Sequence, residues 1–317
     1  MLNGKEEEKV DLALITAKQV LILFFLIFAG YLVARTGVIQ MEAKKAFSDL
    51  LLYLVVPLMV IHSYMTEFDP SVFSNLMLSF GLSAVLLLLG LAITMLLTAK
   101  MQGRHRAILR FACIFSNAAY MGFPLIEALF GQEGLLYASA FVTVFNILLW
   151  TIGYRMVSDQ AQDRNIIKTI CTTPVLIAVV LGLAIYLGRV PVPELVKQPL
   201  ALIANMNTPL SMIITGMMIA GSDMKKLLKN PNLGILIVIR MLVIPVVCFG
   251  IFALLGIHGM AAEVVVLLEA CPSAAITSVF AVQYHHDEEL AAGAVVFTTL
   301  LSIVTLPLCA FLLTMMM

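Results

Sequence analysis

Long apolar runs separated by short polar punctuation set the pattern of this chain. Runs of Leu, Ile, Val, Phe, Met and Ala recur along it, each long enough to cross a hydrocarbon layer at about 1.5 Å of helix rise per residue. They predict ten helical spans, at roughly 13–35, 46–65, 73–99, 107–130, 134–157, 172–190, 199–221, 233–256, 261–284 and 290–316. The breaks between them are Thr36-Gly37, Asp69-Pro70, the cluster from Lys100 to Arg106, Gly131 to Gly134, and the polar run from Ser158 to Lys168. Pro191-Val192-Pro193, Asp223 to Pro231, Gly256 to Gly259 and His285 to Glu289 complete the set. No linker is long enough to hold a soluble domain, so the expected fold is an all-α integral membrane protein.

Composition agrees and narrows the options. Of 317 residues, 62% are hydrophobic and 12% charged, with mean hydropathy +1.04. A soluble domain carries about 25% charged residues, so water is the wrong solvent for this surface. Lys+Arg 19 balance Asp+Glu 19, which leaves no basic excess for nucleic acid. The five cysteines, Cys113, Cys171, Cys248, Cys271 and Cys309, form no C-x-x-C pair and read as small buried hydrophobes. The run from Leu14 to Ala34 is too long for a signal-peptide core and follows an acidic leader, so it counts as the first span.

Charge placement predicts orientation. Lys and Arg gather in the loops after spans 1, 3, 5 and 7 and their flanks: Arg35, Lys44 and Lys45; Lys100, Arg104, Arg106 and Arg110; Arg155, Arg164 and Lys168; Lys225, Lys226 and Lys229. The opposite side holds only Lys5, Lys9, Lys18, Arg189 and Lys197. The positive-inside rule makes the odd-numbered loops cytoplasmic and both termini extracytoplasmic, in the cell (cytoplasmic) membrane.

The spans divide five and five about the central polar loop, giving a first repeat over 1–157, a cytoplasmic connecting loop over 158–171 and a second repeat over 172–317. Because five is odd, similar halves must insert with opposite orientation. Ala138-Ser-Ala-Phe-Val-Thr in span 5 echoes Ala292-Gly-Ala-Val-Val-Phe-Thr-Thr in span 10, and Val56-Pro57-Leu58 in span 2 echoes Thr208-Pro209-Leu210 in span 7. Pro57, Pro209, Ser116-Asn117 and Pro272-Ser273 all fall roughly 14–18 Å deep, near the bilayer centre. An interior proline removes a helix hydrogen bond, and freed backbone groups at that depth must be buried in protein or line a wet cavity. Half-helix N-termini there would present partial positive charge to an anion without a full cation.

The segment Ser116-Asn-Ala-Ala-Tyr-Met-Gly-Phe-Pro-Leu-Ile126, followed by Ala128-Leu-Phe-Gly-Gln-Glu-Gly134, resembles the fourth-span signature of the auxin efflux carrier family. Asn146 with Leu149-Trp150-Thr151 and Gly153 is similar to that family's fifth span, and Glu269-Ala-Cys-Pro-Ser-Ala-Ala275 to its second crossover helix. The resemblance implies ten helices in two inverted five-helix repeats, a fold shared with bile acid:sodium symporters. Spans 1, 2, 6 and 7 would form a scaffold, and spans 3–5 and 8–10 a transport unit in which broken helices 4 and 9 cross. It also implies an organic-anion cargo, malate- or malonate-like or an aromatic carboxylate, and pairing into a homodimer through the scaffold. Where the plant carriers place a proline at the span-4 crossing, this chain has Ser116, so the break rests on Ser116-Asn117 and nearby Gly122.

The expected substrate-binding residues are therefore Ser116, Asn117, Pro272, Ser273, Asn207 and Asn146, with Pro57 and Pro209 as helix breaks. Glu269, about 12 Å inside the outer boundary, is the candidate for a coupling group that takes H+ or Na+. No other cofactor and no metal are expected; His285-His286-Asp287-Glu288-Glu289 reads as a solvated turn. Arg240, roughly 11 Å from the inner boundary, either pairs with an acid or anion or snorkels to the interface. The function expected is a secondary active transporter of a small organic anion working by alternating access. A passive channel, a membrane receptor, or a carrier of a neutral or amino-acid substrate are the alternatives. The chain has no phosphate-binding G-x-x-x-x-G-K-[ST] loop for ATP-driven pumping and no H-E-x-x-H for intramembrane metalloenzyme chemistry.

Overall fold

The computed structural model describes residues 2–103, 105–158, 168 and 171–314. Arg104, Arg164 and most of the connecting loop lie outside the described residues. The regular secondary structure among the described residues is helical, apart from one isolated bridge discussed below. In chain order the principal helices are α1 (Leu2–Arg35), α2 (Ala43–Ser63), α3 (Pro70–Leu97), α4 (His105–Ile114), α5 (Ala118–Val157) and α6 (Pro174–Leu187). They continue as α7 (Glu194–Ala204), α8 (Asn207–Ala220), α9 (Pro231–Leu255), α10 (Met260–Ala270), α11 (Ile276–Gln283) and α12 (Glu288–Thr314). Among the described residues, seven helical stretches are long and apolar enough to cross a membrane, counting α7 and α8 as one. The protein is a multi-pass membrane protein.

Local chemistry sets the boundaries. Asp69 caps α3: its carboxylate accepts from the Ser71 N–H at 2.7 Å, with Pro70 at the first helical position. Hydrogen bonds from the Ser71 hydroxyl and N–H also hold the Asp69 carboxyl below its usual pKa. Asn230 repeats the device before Pro231, accepting from the Asn232 N–H at 3.1 Å. Gly256, with φ 63°, closes α9 in the left-handed conformation that favours glycine. Gly131 (φ 61°, ψ −149°) turns α5 back on itself, so this stretch comprises two limbs.

Prolines inside the apolar runs do less damage than the sequence predicts. Three helices carry a π-turn just before a proline: Leu51–Val55 before Pro57, Ala118–Gly122 before Pro124, and Ile239–Val243 before Pro245. The wider turn moves the carbonyl four residues back away from the proline ring, which would otherwise clash with it. Pro57 therefore does not break its helix: α2 runs through it. Near Pro209 the helical run is interrupted three to four residues earlier, by the turn at Asn205-Met206, and α8 restarts at Asn207.

Two packing groups are evident. In one, α1 lies along α8 while α2 packs on α6 and α7. Gly30 and Gly216 bring α1 and α8 backbone to backbone, since a Cβ at Gly216 would sit 2.0 Å from the Ile27 carbonyl oxygen. In the other, α3 packs on α5, and α10 packs on both. α1 also lies against α12, which joins the groups. The ends after α5, α8 and α11 meet at one face: Lys226 pairs with Glu289 at 2.5 Å, Asn230 donates to Asp287 at 3.2 Å, and His286 Nε2 lies 2.7 Å from the Val157 carbonyl oxygen. Residues 285–287 thus form a turn that, with Glu289 at the start of α12, ties loops together. Four of the five cysteines are buried as expected, while Cys171 is exposed.

Candidate functional site

Two helices stop inside the protein and restart after a few non-helical residues. α4 ends at Ile114, the chain leaves the helix over Phe115, Ser116 and Asn117, and α5 begins at Ala118. α10 ends at Ala270, the chain leaves the helix over Cys271 to Ala275, and α11 begins at Ile276. The interruption in the first half forms without a proline at Ser116. The Asn117 carbonyl instead accepts both the Met121 and Gly122 N–H groups, at 3.0 and 3.1 Å, which opens the π-turn.

The two interruptions pair with each other. Asn117 N–H donates to the Pro272 carbonyl at 2.7 Å, Ala274 N–H donates to the Phe115 carbonyl at 2.8 Å, and Ser116 faces Ser273 in an antiparallel bridge. Backbone groups freed by the breaks are thus partly satisfied across the crossing, as a site out of reach of water demands. Ser273 N–H is taken by Thr298 Oγ1 of α12 at 3.0 Å, and Thr298 in turn donates to the Ala294 carbonyl.

Arg240 completes the arrangement. It leaves the π-turn of α9 with no solvent exposure and does not snorkel. Its Nε donates to the Cys271 carbonyl at 3.1 Å and Nη2 to the same oxygen at 2.9 Å. Nη1 donates to the Cys113 carbonyl at 3.0 Å and the Ile114 carbonyl at 3.4 Å, and pairs with Glu269 Oε1 at 3.2 Å. Nη2 also donates to the Glu269 carbonyl. The rigid five-donor fork of one guanidinium therefore caps the C-terminal ends of both α4 and α10. It places positive charge where both half-helix dipoles are negative. The opposite poles, the N-terminal starts of α5 and α11, receive no cation from it.

Glu269 is fully buried, and its Oε2 has no partner among the described residues. α3 passes close by: a Cβ at Gly90 would lie 3.1 Å from Glu269 Oε1. Gly122 lets the π-turn of α5 approach α10, where a Cβ would lie 2.5 Å from the Leu268 side chain. The hydroxyls of Ser116, Ser273 and Thr299 are buried and without a partner among the described residues.

The crossing thus gathers Ser116, Asn117, Pro272 and Ser273, with Glu269 one helical turn away. Asn207 stands at the start of α8, fully buried, with both amide atoms unpartnered among the described residues. Its helix packs on the π-turn at Ala118–Gly122. Asn146 is not drawn in: it is half-buried and donates to the Val142 carbonyl of its own helix at 2.8 Å. Pro57 and Pro209 bear on helix geometry as described above. Sequence reasoning left Arg240's partner open and missed Thr298 as the acceptor for Ser273. The available signals were a lone arginine deep in an apolar run and a pair of threonines at mid-depth in span 10.

A family model described as membrane transport protein matches residues 15–310. An uncharacterized transporter of Methanocaldococcus jannaschii is 25% identical over 309 residues, covering 91% of this chain and 96% of that protein. An uncharacterized transporter of Methanothermobacter thermautotrophicus is 24% identical over 301 residues, covering 92% and 97% respectively.

Proposed function

Because the chain belongs to the membrane transport protein family, the auxin efflux carrier family of the resemblance above, we propose that it is a secondary transporter of a small organic anion. On this reading ten spans form two inverted five-helix repeats. α4 with the first limb of α5 is the fourth span, and α10 with α11 is the ninth. The packing of α1 and α2 with α6, α7 and α8 supports the scaffold, and that of α3, α5 and α10 supports the moving unit.

The observation that carries the proposal is the bridge between Ser116 and Ser273, with Arg240 on the carbonyl ends of both half-helices. The free N-terminal ends are then left to bind a carboxylate, with Asn117 beside them. A carboxylate bound at a junction of four half-helices is exposed to one side or the other as the unit moves against the scaffold, which is alternating access. Glu269 Oε2 is the atom that would take a coupling proton or face a sodium ion, and the membrane potential supplies further force on the anion itself. The protein would act in the cytoplasmic membrane with both termini outside, as monomer or homodimer.

Counterflow in proteoliposomes tests this. Purified protein loaded with unlabelled malonate should accumulate external labelled malonate transiently and with saturation. Flux that rises linearly with concentration and shows no counterflow would make the protein a channel.

A further inference from the structure

Tyr64 and Ser139 meet across the boundary between the two packing groups. Tyr64 follows directly on α2, in the group that includes α6, and Ser139 lies in the second limb of α5, in the group with α3 and α10. Their side-chain oxygens are 2.7 Å apart, and both residues are fully buried. A hydroxyl has one proton to give, and Ser139 Oγ gives its own to the Leu136 carbonyl at 2.6 Å. Tyr64 is therefore the donor and Ser139 the acceptor. With the orientation expected from the positive-inside rule, this contact lies toward the extracytoplasmic side.

The tyrosine is fixed on its own side of the boundary. A Cβ at Gly182 of α6 would lie 2.4 Å from the Tyr64 ring, so ring and helix backbone are in close contact. Tyr186, one turn further along α6, sets its ring edge-on to that of Tyr64 at 6.4 Å. When the two groups part, Tyr64 stays with α6, and the bond to Ser139 is the one that breaks. Parting costs little: Ser139 keeps its bond to Leu136, and the Tyr64 hydroxyl passes to water. A neutral hydrogen bond exchanged in this way shifts a two-state balance by about two- to tenfold.

We propose that the Tyr64–Ser139 hydrogen bond is a latch that holds the outer cleft between scaffold and moving unit shut. This deepens the transporter reading and rests on its division of the helices into those two units. The latch acts on the balance between inward- and outward-facing arrangements. It sets how often the crossing opens outward, and leaves what the crossing binds to other residues.

Hydrogen–deuterium exchange of the ligand-free full chain in lipid nanodiscs tests this, with Tyr64→Phe, Ser139→Ala and the double variant beside wild type. Tyr64→Phe keeps the ring and leaves Ser139 satisfied by Leu136. Amides around Tyr64, Gly182 and Ser139 should then exchange about two- to tenfold faster, while α10, inside the moving unit, keeps its wild-type rate. Ser139→Ala strands the Tyr64 hydroxyl in the closed state, so its acceleration should be larger, about tenfold or more. The double variant strands nothing, and its exchange should fall back to that of Tyr64→Phe. Additive acceleration in the double variant, unchanged exchange in the single variants, or equal acceleration in α10 would overturn the latch. Malonate counterflow on the same proteins separates the two claims. Coordinated opening without counterflow keeps the latch and removes the malonate cargo. Intact counterflow with unchanged exchange removes the latch and keeps the transporter.

Discussion

Truncating Arg240 would strip the donor from carbonyls on two different half-helices and leave the Glu269 carboxylate buried without its cation. Losing one partner of a buried ion pair costs about 3–5 kcal/mol, so Arg240→Ala should lower the melting temperature sharply. Arg240→Lys keeps the charge but not the planar fork and should recover only part of the loss; a wild-type melting temperature in either variant would mean that the clasp contributes nothing. Glu269→Gln addresses a different question. If the free Oε2 carries the coupling ion, uptake should lose its dependence on pH or sodium while binding survives, and unchanged dependence would remove Glu269 from that role. The sequence located these residues unequally. Pro272 and Asn117 announce themselves through local backbone chemistry. The partners of Arg240 come from α4 and α10, far away in sequence, and no local pattern encodes them.

At the scale of elements, helix ends were easier to read than helix interiors. Asp69-Pro70, Asn230-Pro231, Gly131 and Gly256 stop or start helices through capping, fixed φ or positive φ, and those are properties of one or two residues. Pro57 misled because the same sequence signal permits two outcomes, a break or a π-turn, and packing around the helix selects between them. Since the π-turn already relieves the ring, Pro57→Ala should leave transport and melting temperature close to wild type; loss of transport with intact folding would instead make it a working hinge. The α1–α8 contact is far less forgiving. A side chain at Gly216 meets backbone, which cannot rotate away, so Gly216→Leu should cost at least the roughly 1–3 kcal/mol of core overpacking, measured as a fall in melting temperature. Failure to see that fall would mean that the two helices do not approach so closely in the membrane.

For the whole molecule, the apolar runs and the distribution of Lys and Arg carry the class and the expected orientation, because the bilayer imposes length and sidedness on every segment alike. The pairing of two breaks from opposite halves was legible only as a coincidence of depth. Orientation is open to direct measurement in a Cys171→Ser background, which removes the exposed native thiol. A cysteine introduced at Lys45 or Lys225 should react with an impermeant maleimide only from the cytoplasmic side, and one at Lys197 only from outside; the reverse pattern would invert the topology. The account's central claim is that the crossing of the two broken helices holds the substrate's carboxylate. An electron cryomicroscopy map of the full chain with malonate tests it most directly. The predicted result is ligand density between Ser116-Asn117 and Ser273, within hydrogen-bond reach of both breaks. Malonate bound elsewhere, with the crossing unoccupied, would contradict it.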